Sequence, residues 1–335
     1  TAFRICNVTK VLPAVSLFQS VERRSLTSAD EQVRARVPAA AVLRDPRNDA
    51  VAPITWRQLS AHTAGLSREA PCSFLQCTYS TKDIMDRTEQ SVYRFTQTMA
   101  GADVSYSNFG SALLGHWLAD VSGVDGVSGN DDVARWWELT KRLITQPLGM
   151  NATAVDADGA RALGVPLWES YTAPRVASTP MPLHWISPAG SVYSTPRDLH
   201  KLLAAINDAY HNRTQHLFSR GAATARDMLT AVHVNADRSA FAAPWEVIYR
   251  YGTQVSTKGG FIEQFRTLVV IIPEMEISAV LVANGAGVDM SRFSLSVLDV
   301  VIPLINRTYA VRQSPRPPPL PSTFGGAALY SGDYG

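Results

Sequence analysis

Phe3-Arg4-Ile5-Cys6-Asn7-Val8-Thr9-Lys10 opens the informative part of the chain, and the residues after it set its conformation. Val8, Val11, Leu12, Val15, Phe18 and Val21 recur at three- and four-residue steps, the spacing of one buried helix face, so a helix is expected from Asn7 to Val21. Asn7 stands at its start, and Lys10 follows one turn later on the same face. Pro13 falls inside, where the missing N–H costs about 3 kcal/mol unless compensated, and it should bend or delay the first turns. A local rule broken at a helix start is a common mark of a functional site.

Working outward, helices are expected over Phe109 to Val121, Val133 to Ile144 and Pro196 to Ala209, the last starting after Ser194 and Thr195. Phe265 to Ile272 and Ile277 to Ala283 are rich in β-branched residues and are joined by Pro273-Glu274-Met275-Glu276, which predicts a hairpin. A last helix is expected from Asp289 to Val311 with an interruption at Pro303. Residues 314–322 hold five prolines and predict a stiff spacer. The expected division is one domain over 1–313, that linker, and over 323–335 the start of a C-terminal segment or a truncated domain, too short for a core of its own.

Four separated segments, taken together, are similar to the serine β-lactamase and penicillin-binding-protein superfamily, in particular its fungal branch with an extra C-terminal domain. Residues 3–10 resemble F-R-I-G-S-V-T-K, which holds the S-x-x-K nucleophile and lysine. Ile54-Thr55-Trp56-Arg57-Gln58-Leu59-Ser60-Ala61-His62-Thr63-Ala64-Gly65-Leu66 resembles I-T-(V/W)-R-x-L-L-x-H-T-S-G-L. Tyr106-Ser107-Asn108-Phe109-Gly110 resembles the Y-S-N element, and Thr257-Lys258-Gly259-Gly260 the K-(S/T)-G strand. Gln146-Pro147-Leu148-Gly149-Met150 and Pro188-Ala189-Gly190 add support in the same order. The resemblance implies an α/β (α+β) fold: an antiparallel sheet flanked by helices, with a helical subdomain inserted over roughly 60–200 and the site in the cleft between them.

In such a site a hydroxyl at a helix start is deprotonated by a nearby base, attacks a carbonyl, and backbone donors hold the oxyanion. The resemblance implies catalytic roles at Asn7, Lys10, Tyr106, Asn108 and Lys258, and substrate contacts at Thr257, Gly259, Gly260 and Cys6. Two departures matter. Cys6-Asn7 stands where the family has Gly-Ser, and an amide nitrogen whose lone pair is delocalised into its carbonyl is a poor nucleophile. Gly259 brings no hydroxyl where the family places Ser or Thr, which weakens carboxylate recognition. A Cys6 thiolate near Lys10 is a possible substitute nucleophile, against the commoner role of an unpaired cysteine as a small buried apolar group. His62 reads as a hydrogen-bonded core histidine.

Three functions fit: an enzyme working the cleft with Lys10 and Tyr106 as acid and base, a silent pseudoenzyme or small-molecule-binding protein, or a serine hydrolase in which Asn7 is a trapping substitution. No H-E-x-x-H or comparable spacing is present, so neither metal nor cofactor is expected. The 335 residues are 46% hydrophobic and carry 31 basic against 29 acidic side chains without like-charge runs, which speaks against nucleic acid and for a small-molecule partner. No stretch reaches the roughly 18 apolar residues of a membrane span. Asn-x-Thr triplets at Asn7, Asn151, Asn212 and Asn306 suggest a secreted or lumenal protein, with glycans on the last three and none on Asn7 at the cleft floor. Cys72 and Cys77, close together in a polar loop, are expected to pair there, leaving Cys6 free.

Overall fold

The computed structural model describes residues 1–309 apart from 73–76, 125–130, 170, 174–175, 178–179 and 286–287; the proline-rich spacer and the segment after it lie outside the described residues. The chain divides into two units, Thr1–Phe293 and Ser294–Gly335, and the site belongs wholly to the first.

The strands are β1 (Phe3–Arg4), β2 (Tyr171–Ala173), β3 (Val176–Ala177), β4 (Tyr193–Ser194), β5 (His233–Val234), β6 (Ala240–Phe241), β7 (Glu246–Arg250), β8 (Thr253–Ile262), β9 (Phe265–Ile272) and β10 (Ile277–Asn284). The helices are α1 (Val11–Glu22), α2 (Trp56–Ser60), α3 (Thr81–Glu89), α4 (Asn108–Val121), α5 (Asp132–Thr140), α6 (Ala157–Ala162), α7 (Pro196–Tyr210), α8 (Ala222–Leu229) and α9 (Met290–Tyr309). β5 to β10 form one antiparallel sheet in the order β10-β9-β8-β7-β6-β5, each strand beside its sequence neighbour. β9 is buried from Leu268 through Ile272 without alternation, so it is covered on both faces. α7 packs on β10, while α1, α2 and α5 pack around α4. Within residues 60–200, α4 and α5 pack together and carry Trp117 and Trp136, buried in one core with Trp185, while α6 joins a separate small cluster with Ala2 and Tyr193.

Local chemistry explains the boundaries. Ser107 caps α4 by accepting from the Gly110 N–H at 2.8 Å, and Thr195 caps α7 with Pro196 in its first turn. The β9–β10 turn closes on a 3-10 turn at Pro273–Met275 with Glu276 at φ 58°, which reverses the chain and sets Ile277 opposite Ile272. Pro13 acts as expected: a 3-10 turn over Cys6–Lys10 comes first, and the α-helix proper begins only at Val11. At Pro303 the expectation fails. α9 runs through it, because one proline removes a single backbone hydrogen bond and the rest of the helix can hold. Cys72 and Cys77 are joined by a disulfide, and Cys6 is free and buried.

Candidate functional site

The 3-10 turn at Cys6–Lys10 packs against β8 and β9, and this junction builds the site. Cys6 adopts φ 52°, unusual for a side-chain-bearing residue, and throws the turn towards the sheet. Gly260 answers it. A Cβ at Gly260 would stand 2.5 Å from the Asn7 nitrogen and 2.7 Å from the Cys6 Cβ, so only glycine lets strand and turn meet this closely.

Lys10 is fully buried with three partners: Asn7 Oδ1 at 3.2 Å, Asn108 Oδ1 at 2.8 Å and the Ala189 carbonyl at 2.8 Å. Burial first, then the Lys258 ammonium, holds Lys10 well below the ordinary lysine value. A neutral amine donates only two hydrogens, so an uncharged Lys10 needs one of these partners to donate to it. Asn108 is not free to turn, since its Nδ2 donates to Glu69 Oε1 at 2.8 Å. The Asn7 carboxamide is the one that can reverse, offering Nδ2 to the lysine lone pair.

Tyr106 lies at the centre. Its ring stacks on His62 at 4.2 Å between centroids, and Lys10 Nζ, Lys258 Nζ and the Arg68 guanidinium stand 5.0, 4.8 and 5.2 Å from the ring centre. Lys10, Tyr106 and Lys258 therefore converge beside Asn7. The negative ring face favours the Lys258 ammonium and the Arg68 guanidinium beside it. The Tyr106 hydroxyl is buried without a partner of hydrogen-bond geometry among the described residues. Burial raises its pKa, with the nearby Lys258 ammonium pulling the other way. His62 supports this loop: its Nδ1 accepts from the Ser107 N–H at 3.2 Å and its carbonyl accepts from the Ser105 N–H at 2.8 Å. Burial, Lys258 and Lys10 keep its ring neutral, as suits a core histidine rather than a base.

Lys258 is equally buried, yet its Nζ donates to Glu246 Oε1 at 2.6 Å. Burial works against its charge, but the Glu246 carboxylate and Tyr106 outweigh it and raise the pKa. The cleft itself, about 630 Å³, is lined by Asn7, Tyr106, Glu246, Gly259, Gly260 and Arg68 among others.

Two expected substrate contacts are corrected. Thr257 does not line the cleft, because its hydroxyl is turned to the Glu246 carbonyl, to which it donates at 3.1 Å. Cys6 lies beneath the turn, its thiol against the Arg4 and Phe265 carbonyls at 3.5 Å, and burial pushes its pKa up to about 12. It has no thiolate character to replace the missing serine. Gly259 and Gly260 do line the cleft. Glu69, Arg68 and Glu246 were not singled out from the sequence. Arg68-Glu69 follow the second motif within three residues, which was a usable signal, whereas Glu246 reaches Lys258 only through strand pairing.

Asn151 and Asn212 are exposed, and Asn306 is partly buried on α9. Among the described residues no three His, Cys, Asp or Glu side chains gather as metal ligands, and no helix is long and apolar enough to cross a membrane.

The family model for beta-lactamase matches residues 1–300, and the chain belongs to that family. It is 25% identical to beta-lactamase-like protein 2 of Dictyostelium discoideum over 96% of this chain, and spans 57% of that relative's length. In fold it is similar to an octameric penicillin-binding protein homologue from Pyrococcus abyssi, with TM-score 0.71, 20% identity, and coverage of 90% of this chain and 66% of that one. It is also similar to a class C beta-lactamase from Rhodobacter sphaeroides, with TM-score 0.68, 18% identity, and coverage of 91% and 86%. The β-lactamase/transpeptidase-like fold, with its antiparallel sheet and flanking helices, is thus established.

Proposed function

We propose that the chain is a β-lactamase-like protein whose cleft binds a small carbonyl-bearing molecule without forming an acyl-enzyme. The observation that carries this reading is the Asn7 carboxamide at the nucleophile position, 3.2 Å from Lys10 Nζ. Its nitrogen cannot attack an ester or amide at a useful rate, but the group can still donate to or accept from a bound carbonyl. The other polar groups fit holding rather than turnover. Lys258 is tied to Glu246, Lys10 is surrounded by partners, and the Tyr106 hydroxyl, close to Lys258, keeps its proton and can donate it to a ligand.

The test is Asn7→Ser. With Lys10 and Tyr106 in place, the variant should label with a fluorophosphonate probe or an activated ester while the parent chain does not. Labelling of the parent at any residue of the cleft would overturn the reading. A variant that folds and stays inert to a panel of such probes would mean that the cleft is remodelled beyond the loss of its hydroxyl.

A second reading, a non-covalent acid–base enzyme, is favoured by one observation: burial and the Lys258 ammonium hold Lys10 well below its ordinary pKa, which suits an amine that accepts a proton. Turnover of any ester or amide by the parent chain, lost in Lys10→Met, would decide for it. We also assign the protein to a secreted or secretory-lumen compartment, a reading supported by the Cys72–Cys77 disulfide and by the exposed Asn151 and Asn212 triplets. A size shift on endoglycosidase treatment of the protein from its native source tests that, and no shift at either site counts against it.

A further inference from the structure

A second cavity, about 860 Å³, shares no lining residue with the cleft. Its buried lining includes Arg4, Leu183, Trp185, Ser187 and Tyr193. Its more exposed lining is acidic: Asp83, Asp131, Asp156 and Asp158 are exposed and Asp132 is half-buried. Of the two arginines present, Arg161 is paired with Asp158 at 2.6 Å and Arg4 with Glu263 at 3.1 Å. Asp131 and Asp156 remain without a cation partner among the described residues, whereas Asp132 has Arg135 at 4.0 Å and Asp83 is partly offset by Lys82 and Arg87.

These acids also cap helices. Asp131 Oδ1 accepts from the Ala134 N–H at 3.0 Å, and Asp156 Oδ1 from the Gly159 N–H at 2.7 Å. Capping occupies one oxygen of each carboxylate and fixes its position without removing its charge. A separate observation points to a ligand: Tyr193, which lines the cavity, is 2% exposed, and its hydroxyl has no hydrogen-bond partner among the described residues. A buried hydroxyl left without a partner costs about 1–3 kcal/mol, which a ligand donor would relieve.

The layout selects the ligand's shape. The carboxylates are spread over the wall, and no three of them meet as ligands of one ion, so a single compact cation is poorly matched. Several ammonium groups on a flexible stem match better, since each can meet a separate carboxylate while the methylenes lie on the partly exposed Val133 and Met181. We propose that this cavity is a second ligand site, independent of the cleft, that takes a linear aliphatic polyamine.

Spermidine is the probe, titrated into the full chain by calorimetry. Saturable one-to-one binding that weakens with salt is expected. Asparagine caps a helix as well as aspartate, so Asp131→Asn combined with Asp156→Asn removes charge and keeps both caps. That pair should weaken binding roughly tenfold, taking exposed ion-pair strengths as the guide. Tyr193→Phe should weaken it at least about threefold, as expected for one lost hydrogen bond. Asn7→Ala in the cleft should leave it unchanged, which separates this site from the cleft. If the double variant fails to fold, the two single variants are read instead, each with a smaller loss. Absence of saturable binding, binding unaltered by the aspartate changes, or equal competition by magnesium at matched ionic strength would overturn the proposal.

Discussion

Lys10 and Lys258 make a controlled comparison inside one molecule. Both are fully buried, and both stand about 5 Å from the centre of the Tyr106 ring, at 5.0 and 4.8 Å. Lys10, at the foot of α1, meets two carboxamides and a carbonyl; Lys258, on β8, meets a carboxylate. Burial penalises both charges, and only the one with a full negative partner keeps its proton beyond the ordinary value. The partner's formal charge, more than burial, decides what a buried lysine does. The site thus holds one amine able to accept a proton and one fixed ammonium, with the nucleophile between them replaced by an amide.

The largest effect that could break this contrast is chemical. In the Asn7→Ser background, Lys10→Met should abolish fluorophosphonate labelling, since the proton acceptor is gone; loss of an entire nucleophilic relay is worth roughly 10⁶ in rate in the subtilisin case. Labelling that survives Lys10→Met would make Lys258 or Tyr106 the base and reverse the roles assigned here. Next comes the junction that brings the two lysines together. Gly260→Ala should destabilise the fold by about 2–3 kcal/mol in denaturant unfolding, as overpacking does. Gly259→Ala, whose Cβ would meet nothing closer than Leu268 at 3.6 Å, should stay within about 0.5 kcal/mol. Equal losses at both positions would show that the close approach at Gly260 can relax.

A smaller effect is expected from Glu246→Gln, which strips Lys258 of its carboxylate. Because the Glu246 side chain is 37% exposed, the loss should be about 1–2 kcal/mol, less than for a fully buried pair. Lys258 should then titrate below its ordinary value, as Lys10 does. A site-specific titration that still finds it raised would implicate Tyr106 instead.

The smallest expected effect is the pH dependence. Lys10 has a depressed folded pKa, so between that value and the ordinary 10.5 the unfolded chain binds more protons and stability rises with pH. Lys258 has a raised folded pKa, so its contribution is present below 10.5 and is lost as pH climbs through the folded value. Lys10→Met should flatten the rising limb and leave the alkaline loss. Unfolding curves across neutral and alkaline pH measure both, and an unchanged rising limb would assign it to another group.

The sequence alone placed several elements and named residues that the fold brings close together. Periodicity and caps placed α1, α4, α7 and the β9–β10 hairpin to within a few residues, because those signals are local: apolar spacing, Ser107, Thr195 and Pro196, and a turn at Pro273. The motifs likewise named Asn7, Lys10, Tyr106, Asn108 and Lys258, which the structure does bring together. Tertiary structure decided what each can do. The protonation of the two lysines depends on burial, and then on Lys258 for Lys10 and on Glu246 for Lys258, groups brought close only by the fold. Thr257 and Cys6 could be excluded only once strand and turn were docked, since which way a side chain faces is set by packing partners distant in sequence. Charge and hydrogen bonding act through space over a few ångströms, and only the folded chain fixes which groups come that close.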